Sequence, residues 1–390
     1  MLHRSHRVKD IQPFHVMELL RRARELEAQG RDIIHMEVGE PDFPTPQPIV
    51  DAAMRFIADG DVHYTPGLGL PALRAAIARF YLERFGAAVA PERIIVTAGA
   101  SGALMLALAA TTDPGDEWLL PDPGYPSNRH LVRSFEGRAR SLAVDAVTRY
   151  QPTPSQVEAA WCERSRGLMV ASPSNPTGTL LSINEIAALH AVTHARGGVL
   201  IVDEIYQGLS YGVEASTALS DPLLNVADDL FVVNSFSKYF GMTGWRLGWL
   251  VAPEGLVRDI EKLAQHFFIS PSTPAQHAAL AAFQPDTLAI LEARRAEFGA
   301  RRDTLLPALR SLGFRVAAEP QGAFYIYADV SDIAVDAESL ARRLIEEAGV
   351  AATPGLDFGH HLPHQHLRIA YTTRSDRLLE AVERIARLQL

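Results

Sequence analysis

Val199-Leu200-Ile201-Val202-Asp203-Glu204-Ile205-Tyr206 opens with four apolar residues in succession and closes on carboxylates and a phenol. An apolar run of this kind reads as a strand buried on both faces. Similar runs lie on either side: Leu168-Met169-Val170-Ala171 before it, Phe231-Val232-Val233 and Leu247-Gly248-Trp249-Leu250-Val251 after it. Further upstream stand Ile94-Ile95-Val96-Thr97 and Trp118-Leu119-Leu120. Between the Leu168 and Val199 runs, Ser182-Ile183-Asn184-Glu185 is a capping box, opening a helix that stops at Gly197-Gly198. Strand, helix, strand in this order predicts an α/β domain with a mostly parallel sheet flanked by helices.

The two ends of the chain read differently. Phe14, Met17, Leu19, Leu20 and Leu26 make residues 14–29 an amphipathic helix ahead of Gly30. After about residue 284 come an Arg- and Glu-rich helix, the alternating Phe324-Tyr325-Ile326-Tyr327, a helix to Ala348, and Leu367-Arg368-Ile369-Ala370. The pattern is α+β. A chain of 390 residues exceeds what one core serves, so two domains are expected. The division is an N-terminal segment 1–45 belonging to the small domain, a large domain 46–284, and a small C-terminal domain 285–390.

With 47% hydrophobic and 21% charged residues the composition is that of an ordinary globular enzyme. A net charge of −9 argues against a nucleic-acid partner, which calls for a basic face. The single cysteine, Cys162, forms no internal disulfide and reads as inert packing in a helix after Trp161. Residues 1–10 are basic and polar with no apolar stretch behind them, unlike a secretory signal. The longest apolar stretch, 103–110, falls short of the ~20 residues that span a bilayer, so no membrane partner is expected. The expected location is cytoplasmic. Of the 37 basic residues only Lys9, Lys238 and Lys262 are lysine, which makes each of them worth placing.

Ligands of open parallel sheets bind beyond the carboxyl ends of the strands. After Ile94-Ile95-Val96-Thr97 comes Ala98-Gly99-Ala100-Ser101-Gly102, small residues opening a helix whose free N–H groups suit an anion. The Leu168 run leads to Pro173-Ser174-Asn175-Pro176-Thr177-Gly178, the Val199 run to Asp203 and Tyr206, and the Phe231 run to Asn234-Ser235-Phe236-Ser237-Lys238. Neither a complete G-x-G-x-x-G nor a P-loop is present.

A buried lysine loses its charge readily and becomes an amine able to form a Schiff base. Pyridoxal phosphate needs such a lysine, an acid for its ring nitrogen and an anion site for its phosphate. Lys238 fits the first need and Asp203 the second, while Tyr206 and Asn175 suit the ring's 3-oxygen. Ser235, Ser237, Arg246 and the turn at Ala100-Ser101 suit the phosphate. Lys9 and Lys262 have no comparable context and read as solvated. His360, His361, His364 and His366 are dense but lack a regular ligand pattern, so no metal site is expected.

Ser235-Phe236-Ser237-Lys238-Tyr239-Phe240-Gly241-Met242-Thr243-Gly244-Trp245-Arg246-Leu247-Gly248 resembles the lysine-site signature of the class I/II aminotransferases, the aspartate-aminotransferase superfamily of fold type I. The resemblance extends, in the family's order, through Val38-Gly39-Glu40-Pro41-Asp42, Tyr64-Thr65-Pro66-Gly67-Leu68-Gly69 and Asp122-Pro123-Gly124-Tyr125-Pro126. It continues through Asn175-Pro176-Thr177-Gly178, Asp203-Glu204-Ile205-Tyr206, Pro320-Gln321-Gly322-Ala323-Phe324-Tyr325 and Leu367-Arg368-Ile369.

What the resemblance implies is a ping-pong transfer of an amino group from an L-amino acid to a 2-oxo acid. Lys238 would be the aldimine lysine and then the base that shuttles the proton. Tyr125 would stack on the pyridine ring, and Arg368 would grip the substrate α-carboxylate, with Gly39 bringing backbone close to it. Tyr64 would reach the cofactor phosphate of a neighbouring subunit, which implies a homodimer with active sites at the interface. Both chain ends would form the small domain that closes over substrate.

The same cofactor set serves a carbon–sulfur lyase or another lyase, which stays open as the alternative. Regulators that carry this fold behind a DNA-binding head are not expected, because the resemblance begins within the first forty residues and the charge is acidic. In some family members a lysine in the segment matching 99–104 receives a second substrate carboxylate. This chain has Ala100-Ser101-Gly102 there, which leaves Arg129 as the available cation. A dicarboxylate, a neutral or an aromatic donor all stay open, with 2-oxoglutarate or pyruvate as acceptor.

Overall fold

The computed structural model describes residues 4–388 and 390, so the first three residues of the expected N-terminal segment lie outside the described residues. In chain order the strands are β1 (Ile34–His35), β2 (Ile94–Thr97), β3 (Glu117–Asp122), β4 (Arg138–Ala143), β5 (Ser165–Ala171) and β6 (Val199–Asp203). There follow β7 (Leu230–Ser235), β8 (Gly248–Val251), β9 (Tyr325–Asp329), β10 (Val350–Ala351), β11 (Thr353–Pro354) and β12 (His366–Ala370).

Seven strands form one sheet in the order β2-β8-β7-β6-β5-β3-β4. Pairing is parallel from β7 through β4, and only β8 runs against its neighbours. The apolar runs have a direct explanation. Leu200 and Val202 of β6 enter one hydrophobic core, while Val199 and Ile201 enter a second. Leu230 and Val232 of β7 divide from Phe231 and Val233 in the same way. Successive side chains point to opposite faces and both faces are covered, so the strands stay apolar until their carboxyl ends, where Asp203, Asn234 and Ser235 stand. The helix Gly99–Thr111 covers one face through Ala103, Leu104, Ala107 and Leu108; Pro71–Phe85 packs into the other core through Leu73, Ile77, Phe80 and Tyr81.

The edge strand β4 went unread in the sequence. Arg138, Ala139, Arg140 and Ser141 are exposed and only Leu142 is buried, so no apolar run marks it. The helix Ile183–His194 starts on the expected capping box, with Ser182 and Glu185 exchanging bonds.

Beyond the large sheet, β11, β12 and β9 form an antiparallel sheet, and β1 pairs in parallel with β10. The N-terminal segment therefore pairs with the C-terminal region, and the Ala370 N–H donates to Met36 O at 2.7 Å. Phe324, Tyr325, Ile326 and Tyr327 are all buried. Among the described residues, no helix is long and apolar enough to cross a membrane.

Candidate active site

Parallel pairing puts the carboxyl ends of β5, β6 and β7 on one rim. Asp203 is the last residue of β6, Asn175 lies four residues past β5 and Lys238 three past β7. The Lys238 Nζ donates to Gly39 O at 2.7 Å, so the N-terminal segment passes directly over the lysine. Burial, helped by Arg368 and Arg246 and opposed by Glu40 and Asp203, brings the lysine's pKa down to about 8. Near neutrality a usable fraction of this amine is free base, whereas a solvated lysine is almost wholly charged.

Asp203 is buried and takes no ion pair among the described residues; its Oδ1 accepts the Ile205 N–H at 3.1 Å. Burial pushes its pKa up to about 7, against the Ile205 bond and the Lys238 charge. A carboxylate in this setting gains from any cation brought to it, and a pyridinium N–H is one. Tyr206, three residues on, shares a 2.8 Å bond with Tyr325 Oη, and burial holds its phenol well above the ordinary value.

The start of the helix Gly99–Thr111 meets Arg246. Gly99 has φ +71°, and a Cβ there would stand 2.6 Å from Arg246 Nη2; a Cβ on Gly248 would stand 2.8 Å from Ala100 N. Glycine at both positions lets the arginine and the following strand close on the helix start, where Ala100 and Ser101 are among the first residues and the free N–H groups lie. Ser235 and Ser237 are buried, with their hydroxyls 2.9 Å apart. Arg246 itself is exposed. Two hydroxyls, a helix start and a guanidinium make a donor set that suits a phosphate dianion. With the free amine and the cation-poor Asp203, the residues present fit pyridoxal phosphate.

Arg368 leaves β12 into the same space. It is buried, its Nη1 donates to Asn175 Oδ1 at 3.0 Å, and its Nη2 donates to Glu37 O. The guanidinium lies over the rings of Tyr325 and Phe358, at 4.4 and 4.7 Å from their centroids. It takes no ion pair among the described residues, and its Nε has no partner. This is a fixed, unneutralised cation whose planar fork suits a carboxylate. Gly39 is pressed against Tyr325, where a Cβ would fall 1.7 Å from the phenol oxygen.

Tyr125 caps the helix Pro126–Ser134 and is half-buried; with Asn175, Arg129 and Phe358 it lines a cavity of about 130 Å³. Arg129 is half-buried there, takes no ion pair among the described residues, and donates to Asp357 O at 2.9 Å. Tyr64 stands apart from this group: it is 81% exposed. Lys9 and Lys262 are exposed, and Lys262 pairs with Asp259. The histidines near the C-terminus scatter: His366 stacks on Tyr327, while His364 pairs with Glu338. Cys162 lies in the turn after the helix Pro154–Ala160 rather than inside it, because the backbone is already extended at Trp161; its Sγ is 3.5 Å from Glu117 Oε2.

Tyr325, the Glu37 carbonyl, Phe358 and Thr353, whose Oγ1 accepts from Arg368 Nη2 at 3.5 Å, were not singled out in the sequence. Tyr325 sat in view within Pro320-Gln321-Gly322-Ala323-Phe324-Tyr325, but its bond to Tyr206 spans 119 residues and has no local signal. Backbone carbonyls carry no residue-type signal at all.

Over residues 31–385 the chain matches the family described as aminotransferase class I and II. The valine–pyruvate aminotransferase of Mycobacterium tuberculosis is 37% identical over 375 residues, 96% of each chain. Among solved structures, an aminotransferase from Mycobacterium tuberculosis superposes with a TM-score of 0.95 at 36% identity, covering 100% of this chain and 99% of that one. The aspartate aminotransferase from Thermus thermophilus with maleate gives 0.92 at 35% identity, covering 100% of both.

Proposed function

The chain belongs to the class I and II aminotransferases, and on that premise we propose that it moves the amino group between an L-amino acid and a 2-oxo acid by a ping-pong route, with Lys238 as the working amine. Its cofactor is pyridoxal phosphate. The observation that carries the residue assignment is the Lys238 amine, brought down to about 8 and set among Asp203, Arg246 and Arg368.

When bound, pyridoxal phosphate supplies an electron-accepting ring conjugated to the substrate's α-carbon. Asp203 would hold the ring nitrogen protonated, and Tyr206 and Asn175 would bond the 3-oxygen. Ser235, Ser237, Arg246 and the N–H groups at Ala100 and Ser101 would hold the phosphate, with Tyr125 over the ring. Arg368 binds the α-carboxylate through its two nitrogens, and the bonds from Arg368 to Asn175 and Glu37 O fix its direction before substrate arrives. Gly39 keeps the covering backbone close to that carboxylate. Lys238, once its amine is free, would take the α-proton and return it at the carbon two bonds away, on the far side of the transferred nitrogen. The overhead segment, held to Lys238 through Gly39 O, excludes water from the proton in transit.

Two further parts belong to the same reading. Residues 1–45 and 285–390 act as one small domain that closes on the large domain 46–284, which the β1–β10 pairing supports. The working unit is a homodimer, in which Tyr64 reaches the partner's phosphate site. Tyr64, Met54, Ile57, Val62 and Ile269 are exposed although the loop beside them is held, with Thr273 Oγ1 donating to His63 O at 2.6 Å. Large apolar side chains displayed on an ordered surface favour a second copy. A cytoplasmic location fits a chain with one cysteine.

Borohydride reduction of the holoprotein followed by peptide mapping tests the assignment. The cofactor mass is expected on the peptide carrying Lys238, and its appearance on Lys9 or Lys262 would refute it.

A further inference from the structure

The helix Ile183–His194 carries His190 and His194 one turn apart, so both imidazoles project from the same face. Asp229, the residue immediately before β7, stands opposite them. His190 Nε2 lies 2.6 Å from Asp229 Oδ1, and His194 Nδ1 lies 2.7 Å from Asp229 Oδ2. The two rings are 5.5 Å apart and tilted by only 28°, and one ligand atom from each of the three residues lies within 4.8 Å of the others. The side chains of His190 and Asp229 are each 15% exposed, and that of His194 is 63% exposed. No lysine or arginine pairs with Asp229 among the described residues. Asp228 adds a second negative charge beside His194, whose pKa the Asp229 bond already raises.

We propose that His190, His194 and Asp229 form a surface site for a zinc-like transition-metal ion, away from the active centre at the opposite, amino end of β7. Two imidazole nitrogens and one carboxylate oxygen are a three-residue ligand set that leaves a fourth position to water. Magnesium and calcium favour all-oxygen shells, so this donor set selects zinc, nickel or copper(II) against them. Tetrahedral ligands at zinc distances stand roughly 3.3 Å apart, so the carboxylate draws back slightly as the ion enters between it and the rings. The two protons that bridge the imidazoles to the carboxylate both leave these contacts: a neutral ring shifts its proton to its other nitrogen, and a charged ring releases one to solvent. Bound metal would pin the helix to the start of the strand that leads to Lys238, stabilising the folded chain by linkage.

The test is calorimetric titration of the tag-free, chelator-washed holoenzyme with zinc chloride, and separately with magnesium chloride, in a non-coordinating buffer. One zinc per chain is expected, with no magnesium binding. The melting temperature should rise with zinc. His194→Ala removes an exposed side chain and should leave transamination unchanged, weaken zinc binding at least tenfold and abolish the thermal shift. Asp229→Asn should weaken it similarly. Absent zinc binding, or zinc binding that survives His194→Ala, would show the cluster to be a hydrogen-bonded surface trio and overturn the proposal. Equal response to magnesium would do the same.

Discussion

At the scale of single residues, the site works by holding charges where their partners are missing. Lys238 is an amine without a carboxylate at contact, Asp203 a carboxylate without a cation at contact, and Arg368 a guanidinium without an anion. Because the Lys238 pKa is lowered, the protonated form dominates below about 8 and the free base above it. Reductive trapping of pyridoxal phosphate on Lys238 in the cofactor-free protein should therefore rise with pH and level off just above 8. A solvated lysine would keep rising towards about 10. Asp203→Asn removes the charge that would hold the ring nitrogen protonated, and kcat should fall by about 100-fold or more. Arg368→Ala should raise KM for the amino acid by roughly 10- to 100-fold while the cofactor stays bound, since a charge-assisted contact is worth about 1.5–3 kcal/mol. Lys238 and Asp203 could be singled out in the sequence because an amine and an acid at strand ends match what the cofactor needs, whereas Arg368, in the middle of β12, was reached only through the family resemblance. Tyr325 was not, because it matters through contacts with Tyr206, Gly39 and Arg368, each far away along the chain.

At the scale of elements, the central strands were legible because both faces of the sheet are covered, which forces an unbroken apolar run through the middle of each. The edge strand β4 escaped for the converse reason: it pairs on one side only and shows arginines to solvent. The helix start at Gly99 was recognisable by its small residues, but the reason they are small appears only in three dimensions. Gly99→Ala would put a methyl against Arg246 and demand a left-handed backbone, so the cofactor's dissociation constant should rise about tenfold or more. Gly39→Ala would collide with Tyr325, destabilising the chain by about 1–3 kcal/mol. Removing the phenol oxygen in Gly39→Ala/Tyr325→Phe should recover part of that loss in a thermal melt. Equal melting of the single and double variants would contradict the contact.

At the scale of the whole molecule, the two chain ends meet through β1 and β10, a pairing between residues that sequence proximity could not suggest. The exposed Tyr64 makes sense in a unit of two chains. Sedimentation should give twice 42.7 kDa, and Ile57→Asp, away from the chemistry, should shift the protein towards monomer and lower kcat. An unchanged mass would contradict the shared site. The central claim, amino transfer without loss of nitrogen, is tested most directly in a single half-reaction. Holoenzyme mixed with an accepted L-amino acid and no acceptor should release one 2-oxo acid per chain, no ammonia, and lose the cofactor's visible absorbance, which a 2-oxo acid then restores. Continuous release of ammonia, with no restoration by a 2-oxo acid, would contradict it and mark the chain as a lyase.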